Sequence, residues 1–371
     1  MFADTIKRLE REYEYKRNEA NKVFLAQKEK IYENNPRLTE LDLEIRKTGI
    51  MAAKLALLSK SSEKNTERKN LEDKISSLKL EKEKILNKLS FKLEPKYSCD
   101  KCKDTGYISL VYGSEMCSCM KQELINEAYN SSNMYNLKNE TFEKLDLNLY
   151  SDIKNPALYK SDLSPKENVT KIISIANNFI NNFEDVNQKN LLFTGTTGVG
   201  KTFLSSSIAN EIIKKGYTVL YQTAPVLLDS IFEYKYNSKS TNSKMLYDNF
   251  FNVNLLIIDD LGTENLTAAK FAELFTILNS RLITPKTKTI ISTNLSLEDL
   301  SKNYDSRILS RLIGNFTICR FFGNDIRMKK WQVIKSLVIL NYNSYPHLLH
   351  VVSPLCFSKP DSVPHFSHSF V

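Results

Sequence analysis

The sequence predicts an α/β domain built on a parallel β-sheet with flanking helices, preceded by a long helical region and a small metal-binding module. Three observations support this fold class. Residues 151–330 alternate short apolar strands with amphipathic helices, and that order produces parallel sheets. A glycine-rich turn stands between the first of these strands and its helix. Four cysteines lie close together ahead of this domain, and residues 1–95 are rich in charge with Gly49 as their single glycine.

The composition is that of an ordinary globular protein. The 371 residues are 42% hydrophobic and 26% charged, with a net charge of +9, which excludes a wholly disordered chain. No run reaches about 18 apolar residues, and the first residues hold no secretory apolar core. We therefore expect a cytoplasmic protein without a membrane partner, whose six cysteines are reduced thiols or metal ligands. The positive charge is spread out, which permits nucleic-acid contact but favours a solvated surface.

Residues 1–95 have the pattern of long amphipathic helices. A first stripe has spacings of three, four and seven, typical of one helix face; it comprises Phe2, Ile6, Leu9, Tyr13, Ala20 and Phe24. Pro36 separates it from a second stripe, and a third, heptad-like run ends before Pro95. The spacing predicts two or three helices, either as an antiparallel coiled coil or as solvated helices with a thin apolar seam.

The four clustered cysteines predict a zinc site in residues 96–150. Cys99 and Cys102 form a CxxC pair, Cys117 and Cys119 a CxC pair, and fourteen residues separate the pairs. Zinc prefers four tetrahedral thiolates, and four cysteines leave no open position for water, so the site would be structural. A dithiol redox site and chance clustering are the alternatives. Cys319 and Cys356 are expected to be passive thiols.

Strands are predicted at 190–195, 217–223, 254–261, 288–293 and 316–322, alternating with helices that include 202–215, 225–236 and 267–282. The first strand leads into the decisive motif. It reads Gly195-Thr196-Thr197-Gly198-Val199-Gly200-Lys201-Thr202, which matches the phosphate-binding loop GxxxxGK[ST] in its strand-to-helix context. The loop amides and helix N-terminus would bind phosphate oxygens, Lys201 would reach the β- and γ-phosphates, and the Thr202 hydroxyl would ligate Mg²⁺.

Acids follow a second apolar strand. Asp259 and Asp260 end the run Leu255–Ile258; Asp259 would hold Mg²⁺ and Asp260 would polarise the attacking water. Glu264 is a weaker candidate for the base. Asn294 follows the next strand, where it is either a turn residue or a γ-phosphate contact.

Arg307 and Arg311 lie four residues apart on one predicted helix face. They are arginine fingers reaching a neighbouring subunit's site, a solvated face, or contacts to nucleic-acid phosphates.

Residues 331–371 break the pattern. All four histidines and Trp331 lie here, and charged residues are sparse. Two HxxH pairs without a helical scaffold are a weak metal signal, so we expect a poorly ordered tail. A frameshift or fusion at the end of the gene is one hypothesis for its origin.

Taken in order, these motifs resemble the AAA+ ATPases of the bacterial replicative-helicase loaders, the DnaC/DnaI type. The resemblance is carried by the phosphate loop, by IIDDLGTE at 257–264, STN at 292–294 and SRILSRLIGN at 306–315. The cysteine segment and TFEKLDLNLYSD at 141–152 resemble the zinc-bearing N-terminal form of that family. The resemblance implies a P-loop AAA+ domain over 151–330, with a helicase-binding region ahead of it.

The same resemblance implies site roles. Asn294 would be sensor 1, Arg311 the arginine finger with Arg307 beside it, and Arg327 a sensor 2 arginine. Asp260 stands where the family more usually has glutamate, and its shorter reach implies slow ATP hydrolysis. The 331–371 extension departs from the family pattern, so the sequence does not establish whether the lid helix of the family is present.

The function implied is an ATP-dependent loader of a DnaB-type hexameric helicase onto single-stranded DNA in replication initiation or restart. ATP, Mg²⁺ and Zn²⁺ are the implied cofactors, and self-association through the AAA+ domains would complete each site. Two alternatives stay open: an IstB-like accessory ATPase of transposition, and an ATP-gated adaptor that does not hydrolyse ATP.

Overall fold

The computed structural model describes residues 2–58, 62–129, 139–237, 241–265 and 267–328. The tail at 331–371, with its histidines and Cys356, lies outside the described residues. The helices are α1 (Phe2–Asn34), α2 (Pro36–Leu58), α3 (Ser62–Lys88), α4 (Ser118–Tyr129), α5 (Pro156–Tyr159), α6 (Pro165–Asn181), α7 (Lys201–Lys214), α8 (Ala224–Phe232), α9 (Thr241–Asn252), α10 (Ala268–Ile283), α11 (Leu297–Asn303) and α12 (Ser306–Asn315). The strands are β1 (Tyr107–Ser109), β2 (Ser114–Met116), β3 (Asn190–Thr194), β4 (Val219–Thr223), β5 (Leu255–Leu261), β6 (Lys288–Thr293) and β7 (Phe316–Arg320).

The main sheet has five parallel strands in the order β4-β5-β6-β3-β7. Strand β6 therefore lies between β3, which leads into the glycine-rich loop, and β5, which ends in the two acids. Because all strands run the same way, their carboxyl ends meet at one edge, where ligands bind in open α/β sheets. The predicted α/β fold class is confirmed.

Helices cover both faces of this sheet, which explains the continuous apolar strands. Successive side chains of a strand point to opposite faces. Leu191 and Phe193 of β3 pack in one core with α6 and α7, whereas Leu192 packs in a second core with α8 and α10. Both cores hold the strands rigidly, so residues at the strand ends are presented from a fixed frame.

Two predicted boundaries shift for local reasons. Strand β4 begins at Val219 rather than at 217 because Gly216 and Tyr217 close helix α7. The amide of Gly216, in a left-handed conformation, donates to Ile213 O, and the amide of Tyr217 donates to Ile212 O. This is the Schellman arrangement of a helix end. Helix α8 ends at Phe232, and the π-helical turn Glu233–Asn237 follows it.

The described part of residues 1–95 contains three long helices, the larger of the two numbers that the sequence predicted. Helices α2 and α3 pair as an antiparallel hairpin, since Arg37 near the start of α2 donates to Glu81 late in α3 at 2.9 Å. Leu38 and Leu41 of α2 and Leu78 of α3 are buried in that contact region. The supercoiling predicted for these helices stays a prediction.

Helix α1 belongs to the cysteine module. Leu9 and Tyr13 pack in a small core with Cys102, Cys117 and the buried side chains Met120 and Leu124 of α4. Arg8 of α1 also forms an ion pair with Glu127 of α4. A small module with few apolar residues thus gains core volume from the long helix.

Helix α4 attaches this module to the sheet. Gln122 lies buried against the edge strand β4, where its Oε1 accepts from Val219 N at 2.7 Å and its Nε2 donates to Val219 O at 2.9 Å. The side-chain amide pairs with the strand as a backbone peptide would, so this point of the sheet edge has no unpaired groups. Ile125, one turn on, enters the second core of the sheet.

Candidate nucleotide-binding site

A cavity of about 840 Å³ opens at the carboxyl edge of the sheet, over the glycine-rich loop. The loop backbone turns through left-handed conformations at positions that only glycine fills easily. Gly200 has φ +97, and a Cβ there would collide with the Tyr150 hydroxyl, which donates to Val199 O at 3.2 Å. A Cβ on Gly198 would collide with the Asp325 carboxylate. Neighbouring side chains therefore require these glycines as much as the turn itself does.

Lys201 begins helix α7 at the base of the cavity. Its Nζ donates to Gly195 O at 2.6 Å, to Thr196 O at 2.8 Å and to Asn294 Oδ1 at 2.8 Å. Burial lowers the pKa of Lys201, against the opposing attraction of Asp260 and Asp259. The predicted lysine and the predicted sensor asparagine are thus in direct contact, and both line the cavity.

Asp259 is held below the cavity by three hydroxyl groups. Its Oδ2 accepts from Thr202 Oγ1 at 3.1 Å and from Tyr221 Oη at 2.6 Å, and its Oδ1 accepts from Ser292 Oγ. Burial raises the pKa of Tyr221 well above its usual value, so this phenol stays protonated and donates. The Thr202 and Asp259 oxygens are hard ligands of the kind that Mg²⁺ prefers, and their proximity fits one shared ion.

A β-bulge turns the second acid toward the cavity. Ile258 pairs with Ile291 and Leu261 with Thr293, so β5 has one extra residue between these pairs. Asp260 takes a left-handed conformation there with φ +54 and lines the cavity, whereas Asp259 does not. Such bulges re-aim a side chain beside active sites. The backbone therefore assigns the two neighbouring carboxylates to different environments.

Burial, and then the charge of Asp259, raises the pKa of Asp260. Between the ordinary carboxyl value near 4 and the raised one, the folded protein binds more protons than the unfolded chain. The free energy of unfolding therefore falls as pH rises through that window.

We expect the Asp260→Asn variant to avoid this loss of stability, because asparagine does not titrate and tolerates the left-handed backbone. Without nucleotide or Mg²⁺ at pH 7, the free energy of unfolding of the variant should exceed that of the wild type by about 0.5–1 kcal/mol, a small gain because Asp260 is only half-buried. Urea unfolding at pH 7 and pH 4.5 measures the difference, which should shrink toward the lower pH. A difference that does not change with pH would contradict this account.

Glu264 lies away from the reacting space. Its Oε2 accepts from Gly262 N at 2.8 Å, and its Oε1 accepts from Tyr304 Oη. Both carboxylate oxygens are thus engaged in holding the turn after β5, and Glu264 does not line the cavity. Asp260 remains the acid that faces the cavity from this strand.

The cavity is closed by segments from both ends of the domain. Arg327 reaches it with its guanidinium paired to Asp325 at 3.3 Å, and Ile326 N donates to Gly198 O at 2.9 Å. The opposite wall comes from the segment before α5; the lining residues there are Glu140, Lys144, Leu145, Asp146, Asn148, Leu149 and Tyr150. The cavity thus has a polar floor at the loop and a partly apolar wall, which suits a nucleotide.

Arg307 and Arg311 do not line this cavity. Both lie on α12, and both guanidinium groups flank the ring of Phe275 on α10, at 5.3 and 4.2 Å from the ring centroid. In this arrangement neither guanidinium contacts the cavity of its own chain.

The four clustered cysteines converge on one point. Their Sγ atoms lie within 4.8 Å of one another, with Cys99 to Cys117 at 3.9 Å and Cys102 to Cys119 at 3.5 Å. Tetrahedral thiolates at 2.3 Å from zinc are about 3.8 Å apart, so the donor set fits one such ion. Asp104 shapes the first knuckle by accepting the Cys99 amide at 2.8 Å.

Three functional positions escaped prediction from the sequence. Tyr221 and Ser292 hold Asp259, and Tyr150 fixes the loop. The sequence of β4, Val219-Leu220-Tyr221-Gln222-Thr223, holds no clear signal for Tyr221, whereas Ser292 lies two residues before Asn294 in the STN motif. Tyr150 had no such signal, because its contact with the loop spans 49 residues.

Within the described part of the chain, every helix is too short or too polar to cross a membrane.

Comparisons with known proteins find that this domain is similar to ATP-binding proteins. Residues 160–332 match the family of the IstB-like ATP binding protein. The replicative helicase loader DnaC of Escherichia coli K12 is 29% identical over 147 residues, covering 38% of this chain and 58% of DnaC. A putative ATP-binding protein of an IS21-like insertion sequence from Bacteroides fragilis is 29% identical over 157 residues, covering 41% of this chain and 58% of that protein.

A crystal structure of DnaI superposes on this chain with a TM-score of 0.40 at 24% identity, covering 52% of this chain and 92% of DnaI. The chain spans 58% of the length of these two curated relatives. The matched region holds the phosphate loop, the acid pair and the sheet described above. Residues 160–332 are therefore similar to the IstB-like ATP binding family, and this part of the chain is similar to the helicase loader DnaC.

Proposed function

We propose that this chain is an ATP-dependent loader of a replicative DNA helicase onto single-stranded DNA. One observation carries the proposal: a domain similar to DnaC, whose cavity gathers the phosphate loop, Asp260 and Asn294, is built onto a long-helical, cysteine-bearing unit. The domain supplies a nucleotide-dependent state, and the attached unit supplies a surface for a second protein. The protein would work in the cytoplasm, where such a helicase acts.

The cavity residues would act as follows. Lys201 and the loop amides bind the β- and γ-phosphates, while Thr202 and Asp259 hold Mg²⁺, which supplies charge neutralisation when bound. Asp260 orients and polarises the attacking water, and its shorter reach makes turnover slow. Asn294 loses its bond to Lys201 when the lysine turns to phosphate, and its amide then faces the γ-phosphate. Arg327 stabilises the phosphates from the same chain.

Assembly would follow from this nucleotide state. Arg311, with Arg307 beside it, completes the site of a neighbouring copy, so ATP favours self-association through the AAA+ domains. The helical region and cysteine module grip the DnaB-type hexamer, and the AAA+ domains contact single-stranded DNA. Because a closed ring cannot thread onto DNA without ends, opening the ring is the step that needs this coupling.

Circular single-stranded DNA with an annealed oligonucleotide tests the loading step directly. The host replicative helicase should release the oligonucleotide only when both this protein and ATP are present. Linear DNA is the control, since a ring can thread onto it unaided. Failure to associate with the helicase, with or without ATP, would overturn the proposal.

The proposed zinc ion gives a separate prediction. We expect about one zinc per chain, by the four-thiolate rule, and expect Cys102→Ser to lose it. The buried contacts of α1 and α4 with Cys102 and Cys117 should then open, because metal binding contributes directly to the folding of such modules. Elemental analysis and protease sensitivity measure both effects. Cys319→Ala, a buried cysteine in β7, is the control and should keep its zinc; a folded, metal-free wild-type sample would contradict the site.

A second candidate is an IstB-like accessory ATPase of transposition, which the family match over residues 160–332 favours. Co-purification with a transposase instead of a helicase would decide for it. A third is an ATP-gated adaptor without turnover, and phosphate release measured with helicase and single-stranded DNA distinguishes it from the loader.

A further inference from the structure

Helix α10 holds the guanidinium of Arg311 in a defined orientation. Arg311 Nε and Nη2 donate to Asn279 Oδ1 at 3.1 and 2.7 Å, and Nη1 donates to Arg307 O at 3.1 Å. The group also stacks on Phe275 at 4.2 Å. A guanidinium has five N–H donors. Within the part of the chain that the structure describes, two of them keep no partner, one on each terminal nitrogen.

The partners of Arg311 are all uncharged: a carboxamide, a carbonyl oxygen and an aromatic ring. Its positive charge is therefore oriented but not neutralised. Arg307 is the opposite case, because its Nε and Nη2 bind the Asp305 carboxylate at 3.3 and 3.0 Å. That carboxylate raises the pKa of Arg307 and compensates its charge. Of the two arginines, Arg311 is the one prepared for an anion.

We propose that Asn279 is a positioning residue, which with Phe275 presents the free N–H pair of Arg311 to the triphosphate of a neighbouring copy of this chain. This rests on the proposed ATPase function, and it assigns the α10–α12 surface as the trans-acting face. A planar pair of N–H donors matches phosphate oxygens. Holding it in advance lowers the entropy lost on contact. The neutral amide is essential, since a carboxylate in its place would hold Arg311 equally well but cancel its charge.

Asn279→Asp tests this distinction with little change of shape. The carboxylate keeps the acceptor for Nε and Nη2 and adds an ion pair, so thermal stability should be unchanged or higher. ATP affinity of the isolated chain should be unchanged, because Asn279 lies outside the cavity lining. ATP turnover of the assembled protein should fall by about tenfold or more, the loss expected when a finger charge is silenced.

Asp305→Asn is the matched control on Arg307. Asparagine serves equally well as the helix N-cap, which Asp305 provides for α12 by accepting from Arg307 N. The substitution frees the charge of Arg307, yet turnover should stay within about twofold of wild type, as for an exposed surface change. Wild-type turnover in Asn279→Asp together with altered turnover in Asp305→Asn would assign the role to Arg307 and overturn the inference.

Mixed assemblies separate positioning from a structural role. Asp260→Asn copies carry a disabled site but an intact Arg311, and Asn279→Asp copies carry the reverse. Mixing the two should restore turnover, whereas mixing Asn279→Asp with Arg311→Ala should not. Absence of restoration in the first mixture would overturn the trans-acting assignment. Absence of any turnover in wild-type protein with helicase and single-stranded DNA would instead overturn the proposed ATPase function.

Discussion

Replacing Lys201 with alanine is expected to weaken ATP binding by about 100-fold or more while leaving the protein folded. Lys201 is only 5% exposed, and burial lowers its pKa, so the folded protein already bears a cost for this charge. Its three acceptors are Gly195 O, Thr196 O and Asn294 Oδ1, and water from the adjoining cavity can replace the ammonium group. Water cannot replace the positive charge of the Lys201 ammonium group beside the triphosphate.

Isothermal titration with ATP and Mg²⁺ measures the affinity directly, and the thermal shift produced by ATP gives a second readout. Lys215→Ala is the matched control. That lysine also donates to a backbone carbonyl, Ile180 O at 2.5 Å, but it lies at the far end of α7. The Lys215→Ala variant should bind ATP with wild-type affinity. If Lys201→Ala bound ATP as tightly as the control, the cavity would not be the phosphate site.

Replacing Arg281 with methionine is expected to lower the free energy of unfolding by about 3–5 kcal/mol. Arg281 is 2% exposed, and its guanidinium ties the end of α9 to the starts of β5 and β6. The acceptors are the carbonyl oxygens of Phe250, Phe251, Val253, Asn254 and Lys288, and the Thr289 hydroxyl. Burial lowers the pKa of Arg281 to about 9, so it is still charged at pH 7. Methionine would fill part of the volume but remove the donors of the guanidinium, although Asn254 O would keep its bond from Lys288 N.

Urea unfolding of the two proteins measures the loss, and ATP affinity should be retained wherever the variant is folded. Arg281→Lys separates charge from geometry: lysine keeps the cation but has three donors on a single nitrogen, so it should recover less than half of the loss. An effect of Arg281→Met below about 0.5 kcal/mol, the usual limit for a surface change, would show that water or neighbouring groups replace the guanidinium.

The nucleotide site was largely predictable because its motif is local in sequence. Gly195 to Thr202 form a continuous turn, and the strand ending in Asp259 must lie at the same sheet edge as the loop in a parallel sheet. The roles of the two acids were less predictable. The two carboxylates have different environments only because β5 has a bulge at this point. A bulge depends on pairing with the neighbouring strand, which the local sequence does not specify.

The partners of these residues were not predictable, because each comes from a distant part of the chain. Tyr221 reaches Asp259 across 38 residues, and Gln122 reaches Val219 across 97. The spacing of Arg307 and Arg311 does not distinguish them either, and only the family resemblance favoured Arg311 as the finger. Both arginines lie on one helix face. They differ in their partners, because Arg307 binds Asp305 whereas Arg311 binds Asn279, which is 32 residues away in the chain.

The order of strands and helices, the phosphate loop, the acid pair and the cysteine set are written in short-range patterns of polarity and residue type, so the sequence alone determined them. Which hydroxyl groups hold Asp259, how Asp260 turns into the cavity, how Arg281 ties three elements together and how Asn279 orients Arg311 were decided only by tertiary structure. These depend on directional hydrogen bonds between groups that packing brings together, and no local pattern encodes which distant partner arrives.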